Sequence, residues 1–227
     1  MKKILVSIIL YLFFIVNSFS HLQHYNDVNY LEYDLYRNNT LIGSHKYDFI
    51  KKDDNLTVKS VVNFKITKLG IDLYKYFAES TENYHNNTFK SFSSTTIQNK
   101  KNKYVKINSN NEEKILNIDG SSFKGKADIN YMVGTWWNHE IVKAKAQISA
   151  ISGRVIEQKV NFLGKKEIEL NGKKYEALHF KFLSSDDTLP DNKKLNTDIW
   201  YDATTLIWLK AQFIKQGNWE YRLKKHN

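Results

Sequence analysis

The 227-residue chain has no cysteine and a single proline, Pro190. Without cysteine there can be no disulfide, no thiol nucleophile and no thiolate metal ligand, so stability must come from a packed core. Its nine glycines stand singly at turn-like places, which excludes a glycine-rich phosphate cradle. A G-x-S-x-G nucleophile elbow is missing too. The zinc pattern H-E-x-x-H starts at His139-Glu140 but has Lys143 where the second histidine belongs, and a cation cannot complete that pair. The other histidines (His21, His24, His45, His85, His179 and His226) have no ligand spacing. These absences leave no predicted catalytic residue, no metal and no cofactor.

Long apolar runs are absent except at the start of the chain. Lys2 and Lys3 precede the run Ile4 to Val16, and Ser18-Phe19-Ser20 puts small residues at a cleavage position, the layout of a secretory signal peptide over residues 1–20. The run falls short of the roughly 20 residues needed to cross a bilayer, so an uncleaved anchor is the weaker reading. With no cysteine at the cut, a lipid-anchored lipoprotein is excluded. The expectation is a periplasmic protein, exported and released, with one antiparallel β domain over residues 21–227.

Charge is one-sided, with 34 Lys and Arg against 24 Asp and Glu, a formal net charge of +10. Export argues against nucleic acid as the partner. The lysines come in ones and twos beside turn residues, as on a solvated surface, and leave room for weak attraction to an anionic envelope surface. The sequons at Asn38, Asn55 and Asn86 carry little weight in so asparagine-rich a chain.

What the sequence has in quantity is period-two alternation. In Leu56 to Ile66 the residues Leu56, Val58, Ser60, Val62, Phe64 and Ile66 share one face, the pattern of a half-buried antiparallel strand. Strands of this kind are predicted at residues 30–37, 41–50, 71–84, 88–98, 104–108, 114–118, 154–162, 166–170, 173–182, 198–201, 206–216 and 219–223. Their separators, Asn38-Asn39, Gly70, Asn86-Asn87, Asp119-Gly120, Asn171-Gly172 and Gly217-Asn218, are turn formers. Two stretches break the pattern. Asn130 to Ser149 offers Asn138 as an N-cap and Ile141, Val142 and Ala146 as a short helical face; Ser184 to Asn196 holds Pro190 and reads as a surface loop. The predicted class is all-β and mainly antiparallel: a single curved meander sheet or incomplete barrel with one short helix near residues 138–146.

Five residues are predicted to line a ligand site: His45, Glu79, Trp136, Trp137 and Trp200. His45 follows Gly43 in mid-strand, where glycine marks a bulge or a close backbone approach, and its competing role is a core histidine bonded to a carbonyl. Glu79 shares a face with Leu73 and Phe77, so it is read as an inward acid needing a partner, with Lys75 the nearest. Trp136 and Trp137 fall in the irregular apolar segment, where they plug a barrel end or line a pocket mouth. Trp200 lies in the hairpin Asp198 to Phe213, with Ile207, Leu209, Ala211 and Phe213 on one predicted face and Leu206, Trp208 and Lys210 on the other.

The stretches YDLYRNNTLIGSHKYDF, LYKYFAESTENY, WWN before ISGRVIEQKVNFLGKKEIELNGKKYEA, and DIWYDATTLIWLKAQF together resemble an exported bacterial family known only as domain of unknown function 6134, itself similar to domain of unknown function 3108. After WWN this chain has His139 where the resemblance leads one to expect proline. The resemblance implies a Gram-negative envelope protein of curved antiparallel β architecture and carries no activity. Three functions follow in order. The first is a monomeric, non-catalytic binding module that holds an apolar or lipid-like small molecule on the concave face of its sheet. The second is an assembly factor that grips another envelope component through a basic surface and edge strands, and the third a hydrolase without a recognisable motif.

Overall fold

In the computed structural model, which describes Tyr25 and residues 27–227, the alternation read from the sequence is the alternation of burial. Strand β1 (Tyr30–Arg37) buries Leu31, Tyr33 and Leu35 and leaves their neighbours partly exposed. The pattern continues through β2 (Thr40–Lys52), β3 (Asn55–Lys68), β4 (Ile71–His85), β5 (Thr88–Gln98), β6 (Lys101–Asn110), β7 (Ile115–Gly120) and β8 (Lys124–Asp128). After a crossing segment come β9 (Met132–Val133), β10 (Ala146–Ile148), β11 (Val155–Leu170), β12 (Lys173–Ser184), β13 (Asn196–Asp202), β14 (Trp208–Ile214) and β15 (Asn218–His226). The expected signal peptide, residues 1–20, lies outside the described residues.

The fifteen strands of the described residues form one sheet, in the order β8-β7-β6-β5-β4-β3-β2-β1-β15-β14-β13-β12-β11-β10-β9. Each neighbouring pair is antiparallel except β9 with β10. Tight hairpins set the register: Asn38 and Asn39 take φ of 50° and 63°, and Asn86 and Asn87 take 48° and 59°, the left-handed geometry of a two-residue turn that matches strand twist. The sheet is open but curls until its two ends meet. Phe92, Val105, Ile107, Leu116 and Ile118 of β5 to β7 pack in one apolar cluster with Val133 and Ile148 of β9 and β10. Across this seam Ser94 Oγ donates to Ala150 O at 2.5 Å and Ser122 N to Ser152 O at 2.9 Å. The result is an incomplete barrel, closed by side chains and a turn instead of a strand ladder.

Three differences from the sequence reading have local causes. The two strands expected at 154–162 and 166–170 are one 16-residue strand, β11, kinked by a bulge at Phe162/Gly164 in which Gly164 has φ of 105°. The helix near 138–146 is a single five-residue 3-10 turn, His139–Lys143, with Asn138 Oδ1 accepting from Glu140 N at 3.1 Å. It cannot run further because Ala146–Ile148 is drawn into the sheet against β11. Strands β8 to β10 were not legible as strands, being short and only weakly alternating. Gly43 is where the sequence asked for a close approach: a Cβ there would lie 2.1 Å from Asn63 O.

Candidate functional site

The concave face of the curled sheet holds a half-open cavity of about 330 Å³. Alternate residues of β2 to β5 form one wall and those of β13 to β15 the other. Tyr47, Tyr76, Trp136, Trp208, Phe213 and Tyr221 make it aromatic, while His45, Ser60, Ser94 and Thr96 add a polar strip. The rings contact one another: Trp136 meets Trp208 edge to face at 5.6 Å between centroids, and Tyr221 lies 5.4 Å from Trp208. Leu195, Lys194 and Lys215 border the cavity at one end of the barrel.

Buried polar atoms gather around this space. His45 Nε2 and Ser60 Oγ share a hydrogen bond of 2.8 Å, whereas His45 Nδ1 has no hydrogen-bond partner among the described residues. The indole nitrogens of Trp136 and Trp208 are likewise buried and without a partner among the described residues. Indole N–H can only donate, and among the described residues neither group meets an acceptor. Burial pushes the His45 imidazole down to about 3, so it is neutral at physiological pH. A serine bonded to a histidine is the geometry of a nucleophile and its base. Here, however, no acid among the described residues stands behind Nδ1, and so depressed a basicity does not favour taking the Ser60 proton.

One end of the cavity is defined by the crossing segment Gly134 to Trp137. Trp136 has φ of 58° and Trp137 N donates to Thr135 O at 2.8 Å, a tight three-residue turn that is costly for a bulky residue. Three tyrosine hydroxyls hold the turn, one per carbonyl: Tyr47 to Thr135 O at 2.6 Å, Tyr201 to Trp136 O at 2.9 Å, and Tyr25 to Trp137 O. A fourth hold is the buried carboxyl of Glu82, which accepts from Trp137 Nε1 at 3.0 Å, from Thr135 Oγ1 at 3.3 Å and from the Tyr84 hydroxyl. Burial raises the Glu82 carboxyl above the usual range, and these three donors only partly offset it.

Three of the five predicted residues, His45, Glu79 and Trp136, stand at the cavity. His45 and Trp136 both line the cavity, His45 bonded to a hydroxyl and not to a carbonyl. Trp137 is fully buried behind the turn as part of the plug, edge to face with Tyr25, Phe49 and Tyr84. Glu79 borders the cavity but is an exposed residue whose carboxylate accepts from Thr95 Oγ1 at 3.2 Å. Lys75 pairs with Asp72 at 3.1 Å instead. The phase of β4 is the reverse of the one expected: Tyr76, Ala78, Glu82 and Tyr84 turn inward, so Glu82 is the buried acid. Trp200 lies on the other face of the sheet, stacked on His179 at 4.2 Å, with the Lys210 ammonium 5.2 Å from its ring. There Asp198 joins His179 at 2.8 Å and Lys181 at 2.7 Å.

Trp208 was missed because a bulge at Trp200/Tyr201 breaks period two. Tyr201 pairs with Trp208 while Trp200 pairs with Lys210, so Trp208 and Ala211 face the same way. Among the described residues no group of three or more metal-ligating side chains is found.

A family model described as domain of unknown function (DUF6134) matches residues 33–224. No curated protein matches. Among solved structures, this chain is similar to a beta-barrel-like protein of domain of unknown function DUF1849 from Brucella abortus. The TM-score is 0.60 at 12% identity, over 88% of this chain and 97% of that one. The likeness shows the fold alone. A DUF1329 family protein from Desulfovibrio piger aligns over 92% of this chain and 90% of its own at 7% identity, with a TM-score of 0.23 that carries no argument.

Proposed function

Since the chain belongs to the DUF6134 family, whose description carries no activity, function has to be argued from the cavity, and we propose a non-catalytic binding module of the periplasm that holds one small apolar or lipid-like molecule. The observation that carries this reading is an aromatic-walled space of about 330 Å³ beside which two indole N–H groups are buried without an acceptor among the described residues. A volume at the lower end of known ligand pockets suits a single acyl chain or a compact ring system. A guest carrying a carbonyl, carboxylate or similar oxygen would suit these donors. Export rests on the signal-peptide pattern of residues 1–20.

The test is mass spectrometry of organic extracts from protein purified natively from the periplasm. A defined small molecule is expected in stoichiometric amount, and Trp208→Phe, which keeps the ring and removes the N–H, should lower its occupancy roughly tenfold, as the loss of a buried hydrogen bond does. Extracts no different from those of an unrelated exported protein purified alongside would overturn the proposal.

A further inference from the structure

The two ends of the barrel differ in chemistry. Because the strands run up and down, the β1–β2, β3–β4, β5–β6 and β14–β15 turns and the β12–β13 loop share one end. Lys194, Leu195 and Lys215 belong to this end, so it is the mouth of the cavity. The turns and the loop there carry Arg37, Lys68, Lys100, Lys101, Lys193, Lys194 and Lys215 against Asp186, Asp187 and Asp191, while the opposite turns carry Asp53, Asp54, Glu112, Glu113, Asp128 and Asp202 against Lys52, Lys114 and Lys173. Among the acids at the mouth end, Asp72 lies 3.1 Å from Lys75 and 3.9 Å from Lys65, and Asp191 lies 3.3 Å from Lys194, while Asp186, which accepts from Thr188 N at 2.8 Å, and Asp187 are exposed.

Exposed aliphatic residues follow the same division. Leu69 is 93% exposed, Ile214 83% and Ile71 66%, with Leu41, Leu73 and Ile97 beside them on the strand ends nearest the mouth. Among the described residues Ile50 lies toward the other end, and Val61, Phe162 and Leu163 are exposed in mid-strand. Leu69 also occupies a left-handed turn position with φ of 50°, where the Asn38-Asn39 and Asn86-Asn87 turns place asparagine. A leucine held in a conformation unfavourable to it, with almost its whole side chain in water, has no reason in the packing of the barrel.

We propose that the mouth end of the barrel docks on an anionic lipid surface, with Leu69, Ile71 and Ile214 entering the headgroup layer and the surrounding lysines pairing with lipid phosphates. Aliphatic tips ringed by cations fit that partner on two counts, apolar area and charge. The field points the same way, since the acidic far end is repelled by the surface that attracts the mouth. Docking in this orientation turns the cavity opening toward the bilayer. The inference stands on the rim residues and does not require the cavity to be occupied.

The experiment is co-sedimentation of the full exported protein with vesicles of phosphatidylglycerol mixed into phosphatidylcholine, and with phosphatidylcholine alone. Binding is expected to the anionic vesicles and to weaken steeply as salt is added. The pair Lys68→Gln and Lys101→Gln should weaken it about 25-fold, fivefold per lysine, and Leu69→Ser with Ile71→Ser several-fold. Lys52→Gln with Lys114→Gln, at the far end, should leave it unchanged. All four positions altered at the mouth are in exposed turns or strand ends, and circular dichroism checks that each variant keeps its fold. Equal binding to neutral vesicles, no binding to anionic ones, equal effects of the two lysine pairs, or a rim that binds a soluble protein and not lipid would each overturn the proposal. Trp208→Phe should sediment as the parent does, so an empty cavity and a failed docking surface are told apart.

Discussion

At the scale of single residues, His45 couples the cavity to pH. Its imidazole is held near 3 in the folded chain, against about 6.5 when unfolded, so the unfolded state takes up a proton that the folded state refuses. The stability this contributes is whole above about pH 6.5 and is lost as pH falls from there toward 3. The loss from this residue between pH 6.5 and 5 is about 2 kcal/mol. Glu82 acts in the opposite sense, because its raised carboxyl favours the folded state at low pH and costs stability as pH rises past the ordinary carboxylate range. The two windows meet, so the parent's pH profile alone does not isolate either group. Replacing His45 by Gln should therefore flatten the fall in urea-unfolding free energy below pH 6.5 relative to the parent. A variant profile parallel to the parent's would show that His45 is not buried neutral.

At the scale of elements, the turns and bulges decide what the strands present. The bulge at Trp200/Tyr201 turns Trp208 inward, and the bulge at Phe162/Gly164 lets β11 continue as one strand. Leu69 is the turn residue whose conformation and exposure both run against local preference. Leu69→Asn places a residue suited to φ near 50° at that turn, and a gain of about 1 kcal/mol in stability is expected by thermal unfolding. The same change should weaken binding to anionic vesicles. A variant both less stable and equally bound would remove the functional explanation for this leucine. Period two located most strands to within a few residues, and β1 and β5 to the residue. It failed where a bulge inserts a residue, and at β8 to β10, which are strands only because the curled sheet offers them partners.

At the scale of the whole molecule, the seam between β5–β7 and the β9–β10 edge converts a sheet into a barrel with an inside. Gly120 makes that closure possible, since a Cβ at this position would lie 2.6 Å from Ser152 O. Gly120→Val is expected to force the seam apart at a cost of about 2 kcal/mol. Hydrogen exchange should then speed up in β7, β9 and β10 while β1 to β3 stay protected. Uniform loss of protection throughout would show instead that the barrel opens only as one unit. The cavity exists because the seam closes, so this variant should also lose any molecule that co-purifies with the parent.

Alternation, asparagine turns and the absence of cysteine were sufficient by themselves to determine an antiparallel β chain curling around an apolar face, because side-chain direction in a strand follows from sequence position alone. They also brought His45 and Trp136 into consideration. Which acid is buried, which tryptophan faces the cavity and where the sheet closes were decided only by tertiary structure. Strand phase and bulges are set by pairing with neighbours far away in the chain, and a shift of one residue moves every side chain to the opposite face. Glu82 was passed over for Glu79, and Trp208 for Trp200, for that one reason.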